Sequence, residues 1–326
     1  MSNLRDEFRQ AAIARIEKHK LSPARDHILE RCSECIRIAT AGTDDYSETG
    51  NSRFGGSPDL PPEIEWPRHK RFDGEFRYGN FLCQINLSEL PQVHITPSPP
   101  QSGMLYLFAR YIESAAEPAS VDCLFYEGDL SRLSPRESPP NDQLLDDEYL
   151  IDLKPNRVKY TAGYDCDANG RALLREVNSL CADDQAGERF RDLCFELPGA
   201  GFGQLFGHAN AVDDNLRRQV ALSQLGGREH QFADSWDSLE EFEAAKVRWP
   251  NMAERYERIR PGVEWLLKNA KAIRAEHDRW QHLLRINSNK SMDFWINDAD
   301  PLYVFIRSDD LSANRFGDLA AEVTQG

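Results

Sequence analysis

Residues 82–86 read L-C-Q-I-N and are followed at 105–110 by L-Y-L-F-A-R. Residues 283–287 read L-L-R-I-N and are followed at 302–307 by L-Y-V-F-I-R. A third fragment precedes each pair: Phe54-Gly55-Gly56 before the first and Phe206-Gly207-His208 before the second. Short apolar strings recur by chance, but three fragments repeated in one order point to two related half-units. Each run is rich in aromatic and aliphatic residues and bounded by Gly or Pro, the pattern of buried strands. The expected class is therefore α+β: two related half-units with mixed or antiparallel sheets, N-terminal helices and a helical insertion in the second half. The expected division is 1–41 for the N-terminal helices, 42–154 for the first half-unit and 155–326 for the second, with the insertion at about 234–281, all in one compact domain.

Working outward, Leu4, Phe8, Ala11, Ala12 and Ile16 recur at helical spacing. Ser22-Pro23 offers a cap and a first-turn proline for a second helix, whose apolar face would be Ile28, Leu29, Cys32, Cys35 and Ile36. On that reading Cys32 and Cys35 are small apolar residues one turn apart. No second Cys pair or Cys/His pair stands at zinc-ribbon spacing, so no metal is assigned. Residues 42–67 are broken by Gly50, Gly55, Gly56, Pro58, Pro61, Pro62 and Pro67, yet carry Phe54, Leu60, Ile64 and Trp66, so an ordered loop is expected. Further strands are expected at 121–126, 149–153, 193–197 and 293–296, and residues 155–190 carry little pattern. Ser235 would cap a helix bearing Trp236, Leu239, Phe242 and Ala245; Pro261 would open one bearing Val263, Leu266, Leu267, Ala270, Ile273, His277 and Trp280. A short helix at 309–319 would end the chain.

The formal net charge of −15 and pI near 5.0 set the range of partners. An acidic surface repels phosphate backbones, which argues against direct nucleic-acid binding, and it attracts basic proteins. Residues 1–8 lack an apolar signal core and no run approaches membrane-spanning length, so a cytoplasmic protein with no membrane contact is expected. Seven Cys scattered over the chain read as reduced, mostly buried thiols.

No catalytic constellation emerges, and no catalytic residue or cofactor is assigned. His277 and His282 are five residues apart and do not share a helix face as a His-Glu-x-x-His pair would. The cluster Gly199, Gly201, Gly203 and Gly207 misses the nucleotide-loop spacing and lacks a following Lys-Ser/Thr. The better candidates are polar residues inside the repeated strands. Gln84 and Asn86 share one strand face, as do Arg285 and Asn287. With Gly55, Gly56, Gly207 and His208 they could line a small-ligand or enzyme site between the glycine loops and the repeated strands. His208 stands out because a neutral imidazole after a glycine-rich turn can bind a ligand or move a proton.

The set Phe54-Gly55-Gly56-Ser57-Pro58, Leu60-Pro61, Trp66-Pro67, the strands at 81–87 and 103–108, Gly207-His208 and the run at 283–287 resembles the YwqG-like family, bacterial cytosolic proteins classed as a domain of unknown function. The resemblance covers roughly 52–319 and implies an α+β fold with no established catalytic residues. It also implies a neighbourhood: some relatives lie near secreted-toxin systems. The leading expectation is accordingly a non-catalytic protein of immunity or antitoxin type, neutralising a basic toxin or nuclease. Its contacts would be Asp142, Asp146, Asp147 and Glu148 in one acidic loop, and Trp236, Asp237, Glu240 and Glu241 on the insertion helix. The ligand site is the alternative.

Overall fold

The computed structural model describes residues 4–70, 74–111, 119–145, 153–167, 171–197, 201–209, 216–233, 236, 238–296 and 299–323. Its strands are β1 (Cys32–Thr43), β2 (Arg53–Phe54), β3 (Asp59–Leu60), β4 (Arg68–Lys70), β5 (Phe76–Tyr78), β6 (Asn80–Asn86), β7 (Met104–Tyr111), β8 (Ser120–Tyr126), β9 (Ser134–Pro135), β10 (Asn156–Cys166), β11 (Gly203–Leu205), β12 (Trp280–Ile286), β13 (Leu302–Arg307) and β14 (Leu319–Val323). Its helices are α1 (Asp6–Lys18), α2 (Arg25–Leu29), α3 (Arg171–Cys181), α4 (Ala186–Glu196), α5 (Leu216–Gln224), α6 (Leu239–Arg248), α7 (Ala253–His277) and α8 (Ser308–Ser312). The chain forms two compact units, Met1–Asp214 with Gln281–Gly326, and Asn215–Trp280.

The first unit is built on a ten-stranded, mostly antiparallel sheet in the order β14-β13-β12-β11-β1-β10-β2-β6-β7-β8. Ala119, at the start of the last strand, bridges Ala321 of the first, so the sheet is nearly closed on itself. Closure satisfies edge groups that would otherwise invite another chain to pair. The α+β class expected from the repeated runs is the one observed.

Why these runs form strands is visible in β7. Leu105, Leu107 and Ala109 enter the main core; Met104, Tyr106 and Phe108 enter a second cluster on the other face with Leu60, Trp66 and Phe81. Burial on both faces gives a continuous apolar run instead of alternation. In β13, Leu302, Val304 and Ile306 join the same main core. Residues from the central and both edge strands meet there, so the concave face of the sheet holds the core. A third cluster joins α1, α2, α3 and α4 through Ile16, Leu21, Ile28, Val177, Phe190 and Leu193. The second unit has its own core, including Phe242, Tyr256, Val263, Leu266 and Ile273.

Several expectations need correction. The second N-terminal helix ends at Leu29, and Cys32 opens strand β1. Ile36 and Ile38 alternate with polar residues there, and pairing along most of β10 overrides the weak helical spacing. Cys32 is not a free thiol: it forms a disulfide with Cys166, its direct partner across β1 and β10. The remaining five cysteines are free. Residues 193–197 end α4 rather than form a strand, because Phe190, Leu193, Cys194 and Leu197 bury one helical stripe. Pro261 lies inside α7, which starts earlier at Ala253. Residues 293–296 form a packed loop with Phe294 and Ile296 in the core. The terminal helix is only Ser308–Ser312, and β14 follows. Residues 155–190 contain β10, a central strand whose Val158, Tyr160, Ala162 and Tyr164 alternate with polar or small neighbours. The strand expected at 149–153 falls largely outside the described residues.

Candidate functional site

Two polar clusters lie on the convex face of the sheet, on either side of the central β1–β10 pair. In one, Arg157, Arg53 and Gln84 face one another across β10, β2 and β6. In the other, Arg37, Gln204 and Arg285 face one another across β1, β11 and β12. The eight candidate residues divide between them. Gly55, Gly56, Gln84 and Asn86 belong to the first; Gly207, His208, Arg285 and Asn287 surround the second. Three strand spacings separate β2 from β11, about 14 Å, so the eight do not line one site.

The first cluster is a buried ionic network. Arg53 Nε donates to Asp44 Oδ2 at 2.8 Å, its Nη1 to the Ser57 carbonyl at 2.7 Å, and its Nη2 lies 3.3 Å from Asp59 Oδ2. Gln84 accepts from the Asp59 backbone N–H at 2.7 Å and donates to the Asn51 carbonyl at 2.7 Å and Asp59 Oδ2 at 2.9 Å. Asn86 donates to the Gly50 carbonyl at 2.7 Å and caps the following turn by accepting from Ser88 N–H at 3.0 Å. Burial pushes the Asp44 carboxyl up, but bonds from Asn51, Arg53 and the Tyr46 N–H outweigh it and hold it below its ordinary value. Gly55 and Gly56 have φ of +71° and +69°, and a Cβ on either would strike the Lys154 carbonyl or the Tyr46 hydroxyl. Both glycines are required by the turn itself. In this network Asp59 Oδ1 and two nitrogens of Arg157, Nε and Nη2, are buried without a hydrogen-bond partner, but the Arg157 guanidinium still pairs with carboxylates, 3.8 Å from Asp44 Oδ1 and 2.9 Å from Glu48 Oε2.

The second cluster is built on a similar turn but satisfied differently. Phe206 and Gly207 have φ of +60° and +73°, and the Phe206 N–H donates to the Leu283 carbonyl at 3.0 Å as the Gly55 N–H donates to Leu82 at 2.8 Å. The register thus matches Gly55 with Phe206, one residue off the alignment in which Gly55 falls on Gly207. Gly207 is required by close approach: a Cβ there would sit 2.7 Å from Asp165 Oδ1. Asp165 Oδ2 accepts from Gln204 Nε2 at 2.6 Å and from the His208 N–H at 2.9 Å. Gln204 Nε2 also donates to the Phe206 carbonyl at 2.9 Å. Two acceptors on one side fix the amide orientation and turn Oε1 away. His282 Nδ1 lies 3.0 Å from the Phe206 carbonyl and must carry its proton there, leaving Nε2 as an acceptor. Asn287 only donates its backbone N–H to the Phe202 carbonyl at 2.7 Å.

What distinguishes this cluster is what its side chains do not meet. Asp165 Oδ1, Gln204 Oε1, His208 Nε2, His282 Nε2 and Arg285 Nε are all buried without a partner among the described residues. Asp165, Gln204 and His282 are 1%, 1% and 3% exposed. An unsatisfied buried polar atom costs about 1–3 kcal/mol, and native proteins hold few of them. Burial raises the Asp165 carboxyl above its ordinary value despite His208, Gln204 and Arg285. Burial lowers His282 to about 3, so the ring is neutral. Burial, then the Asp165 charge, raises the Cys35 thiol well above its usual value, which removes it as a nucleophile. The arrangement can exchange hydrogen bonds.

Reading the sequence alone found His208, Gly207 and Arg285 but missed Asp165, Gln204 and His282. Asp165 sits in β10, a strand that carries little apolar pattern in the sequence. His282 lies on β12, and its role follows from the Phe206 carbonyl, 76 residues away in sequence. Of the acidic candidates, Asp142 is exposed in the turn Asn141–Gln143, and Glu240 and Glu241 are exposed in the first turn of α6, which Ser238 caps at 3.1 Å. Trp236 packs on Phe242 and Tyr256, with ring centroids 5.3 and 5.9 Å away. Asp146, Asp147, Glu148 and Asp237 lie outside the described residues. Among the described residues no three His, Cys, Asp or Glu converge as a metal site requires, and no helix is long and apolar enough to cross a membrane.

Fold and clusters together define an α+β protein whose nearly closed sheet carries polar networks on its convex face. The family model described as "Domain of unknown function (DUF1963)" matches residues 52–323, and the chain belongs to that family. A search of curated proteins found no match.

Proposed function

We propose that the protein binds a small polar molecule at the cluster of Asp165, Gln204, His208, His282 and Arg285. The observation that carries this is that five residues meeting at the Phe206-Gly207-His208 turn each hold a buried polar atom without a partner. Ligand recognition needs such pre-placed donors and acceptors, and a structural network would have satisfied them internally, as Arg53 largely does for Asp44 and Asp59. The raised Cys35 thiol favours binding over nucleophilic catalysis. A thermal-shift screen of polar metabolites tests it: a ligand at about 100 times its dissociation constant adds about 2.7 kcal/mol. The shift should saturate in the native chain and vanish in His282→Phe. A library that never moves the melting curve would sink the proposal.

The sheet order supports the reading of two related half-units. Arg157–Arg53–Gln84 and Arg37–Gln204–Arg285 occupy matching rows outward from the central pair. Phe81 stacks 5.4 Å from Phe108 as His282 stacks 6.0 Å from Phe305. YwqG-like kinship and a bacterial, cytoplasmic setting are proposed on the motif set quoted above.

A second reading, binding of a basic protein of toxin or nuclease type, is favoured by the exposed carboxylates of Asp142, Glu240 and Glu241 and the charge of −15. The packing of Trp236 against Phe242 leaves those carboxylates, rather than the indole, to make the contact. A basic partner captured at low salt should be lost at high salt and by Glu240→Lys/Glu241→Lys. Retention through both changes would remove the reading.

A further inference from the structure

Resting on the ligand-binding reading above, we infer that the Asp165 cluster recognises a neutral amide-type group: a primary carboxamide, a ureido group or the lactam edge of a base. The first cluster shows how this frame treats a cation. There, two buried carboxylates, Asp44 and Asp59, clasp the Arg53 guanidinium, and the neutral Gln84 stands behind it. In the second row the order is exchanged: the amide of Gln204 occupies the short strand and the guanidinium of Arg285 stands on the next. The charge balance changes with it. Asp165 is the buried carboxylate at this turn, with the Arg285 charge acting on it, while Arg37 stands opposite Gln204 in the row and donates to the Tyr164 carbonyl. A cationic ligand would add to an excess of positive charge.

An anion fits no better. Three unpartnered atoms, Asp165 Oδ1, Gln204 Oε1 and His282 Nε2, are acceptors and would face its lone pairs. Arg285 Nε is an unpartnered donor, and His208 Nε2 takes either role with its tautomer. The complement is a group with two or more N–H donors next to one carbonyl. Its N–H groups meet the three acceptors and its carbonyl meets Arg285. Because the protein atoms are already fixed by bonds to Phe206, His208 and one another, little ordering cost remains.

The test uses the full chain, with acetamide, N-methylurea and uracil as neutral probes, and methylguanidinium and acetate as charged ones. Calorimetric titration and thermal shift should show saturable binding of at least one neutral probe, and none by the charged pair. The double variant Gln204→Arg/Arg285→Gln rebuilds the Arg–Gln order of the first row and should weaken the neutral probe at least tenfold. His282→Phe, which places at this point the residue found at Phe81, should do the same and serves if the double variant fails to fold. Saturable methylguanidinium or acetate binding that His282→Phe abolishes would overturn the amide assignment and leave the binding reading standing. Neutral-probe binding untouched by both variants would overturn the assignment to this cluster. If none of the five probes binds, the amide assignment falls; if the wider metabolite screen is also silent, the binding reading falls with it.

Discussion

Arg53 and Gln204 make the same bond from corresponding places: each lies on a short strand before a positive-φ turn and donates to a buried aspartate, Arg53 to Asp44 at 2.8 Å and Gln204 to Asp165 at 2.6 Å. The guanidinium has donors left for Ser57 and Asp59. The amide gives its second N–H to the Phe206 carbonyl, and Asp165 keeps an unpartnered oxygen.

Arg53→Met should therefore cost far more than loss of one contact. Asp44 and Asp59 would remain buried without their cation, at about 3–5 kcal/mol. Denaturant unfolding at neutral pH measures it. The Asp44 value is depressed in the native fold, so its contribution is present above 3.8 and lost as pH falls through the lower folded value. The deficit of the variant should shrink on acidification; a pH-independent deficit would contradict the ionic account.

His282 stays neutral in the fold, with its value lowered from 6.5 to about 3. A lowered value means stability present above 6.5 and lost as pH falls toward 3. His282→Phe should flatten the pH dependence of the melting temperature over that window. An unchanged acid limb would show that the ring is solvated.

For Asp165 the sign reverses. Its folded value is raised, so stability is full below 3.8 and declines as pH rises through the folded value. Asp165→Asn should melt at or above the native chain at neutral pH, with the difference fading near pH 3.8, while ligand binding is lost. A variant less stable at neutral than at acid pH, relative to the native chain, would refute this.

The Cys32–Cys166 disulfide ties β1 to β10 at the centre of the sheet. Alkylation of the denatured, unreduced chain should modify five thiols, those of Cys35, Cys83, Cys123, Cys181 and Cys194. Reduction should cost about 2–5 kcal/mol in unfolding free energy. Seven alkylated cysteines without reductant would exclude the bond.

Legibility was uneven for physical reasons. The runs at 82–86, 105–110, 283–287 and 302–307 are strands because burial on both faces leaves an unbroken apolar string. β1 was hidden by Cys32, Cys35 and Ile36, whose spacing also suits a helix; only pairing with β10 decides it. Residues 193–197 misled because five apolar-rich residues cannot separate a strand from a helix end until Phe190 is counted. At the site, the residues inside apolar runs could be found, whereas Asp165 comes from a distant strand.

Composition and local pattern alone determined the α+β class, the apolar strand runs and the net charge, because burial and charge are properties of short stretches. Tertiary structure alone decided that Gln84 is locked between Asn51 and Asp59. It alone joined Asp165, Gln204 and His282 at one turn and left their outward atoms unpartnered. Hydrogen-bond satisfaction is a property of neighbours brought together from β10, β11 and β12, and no local pattern encodes which of them will find a partner.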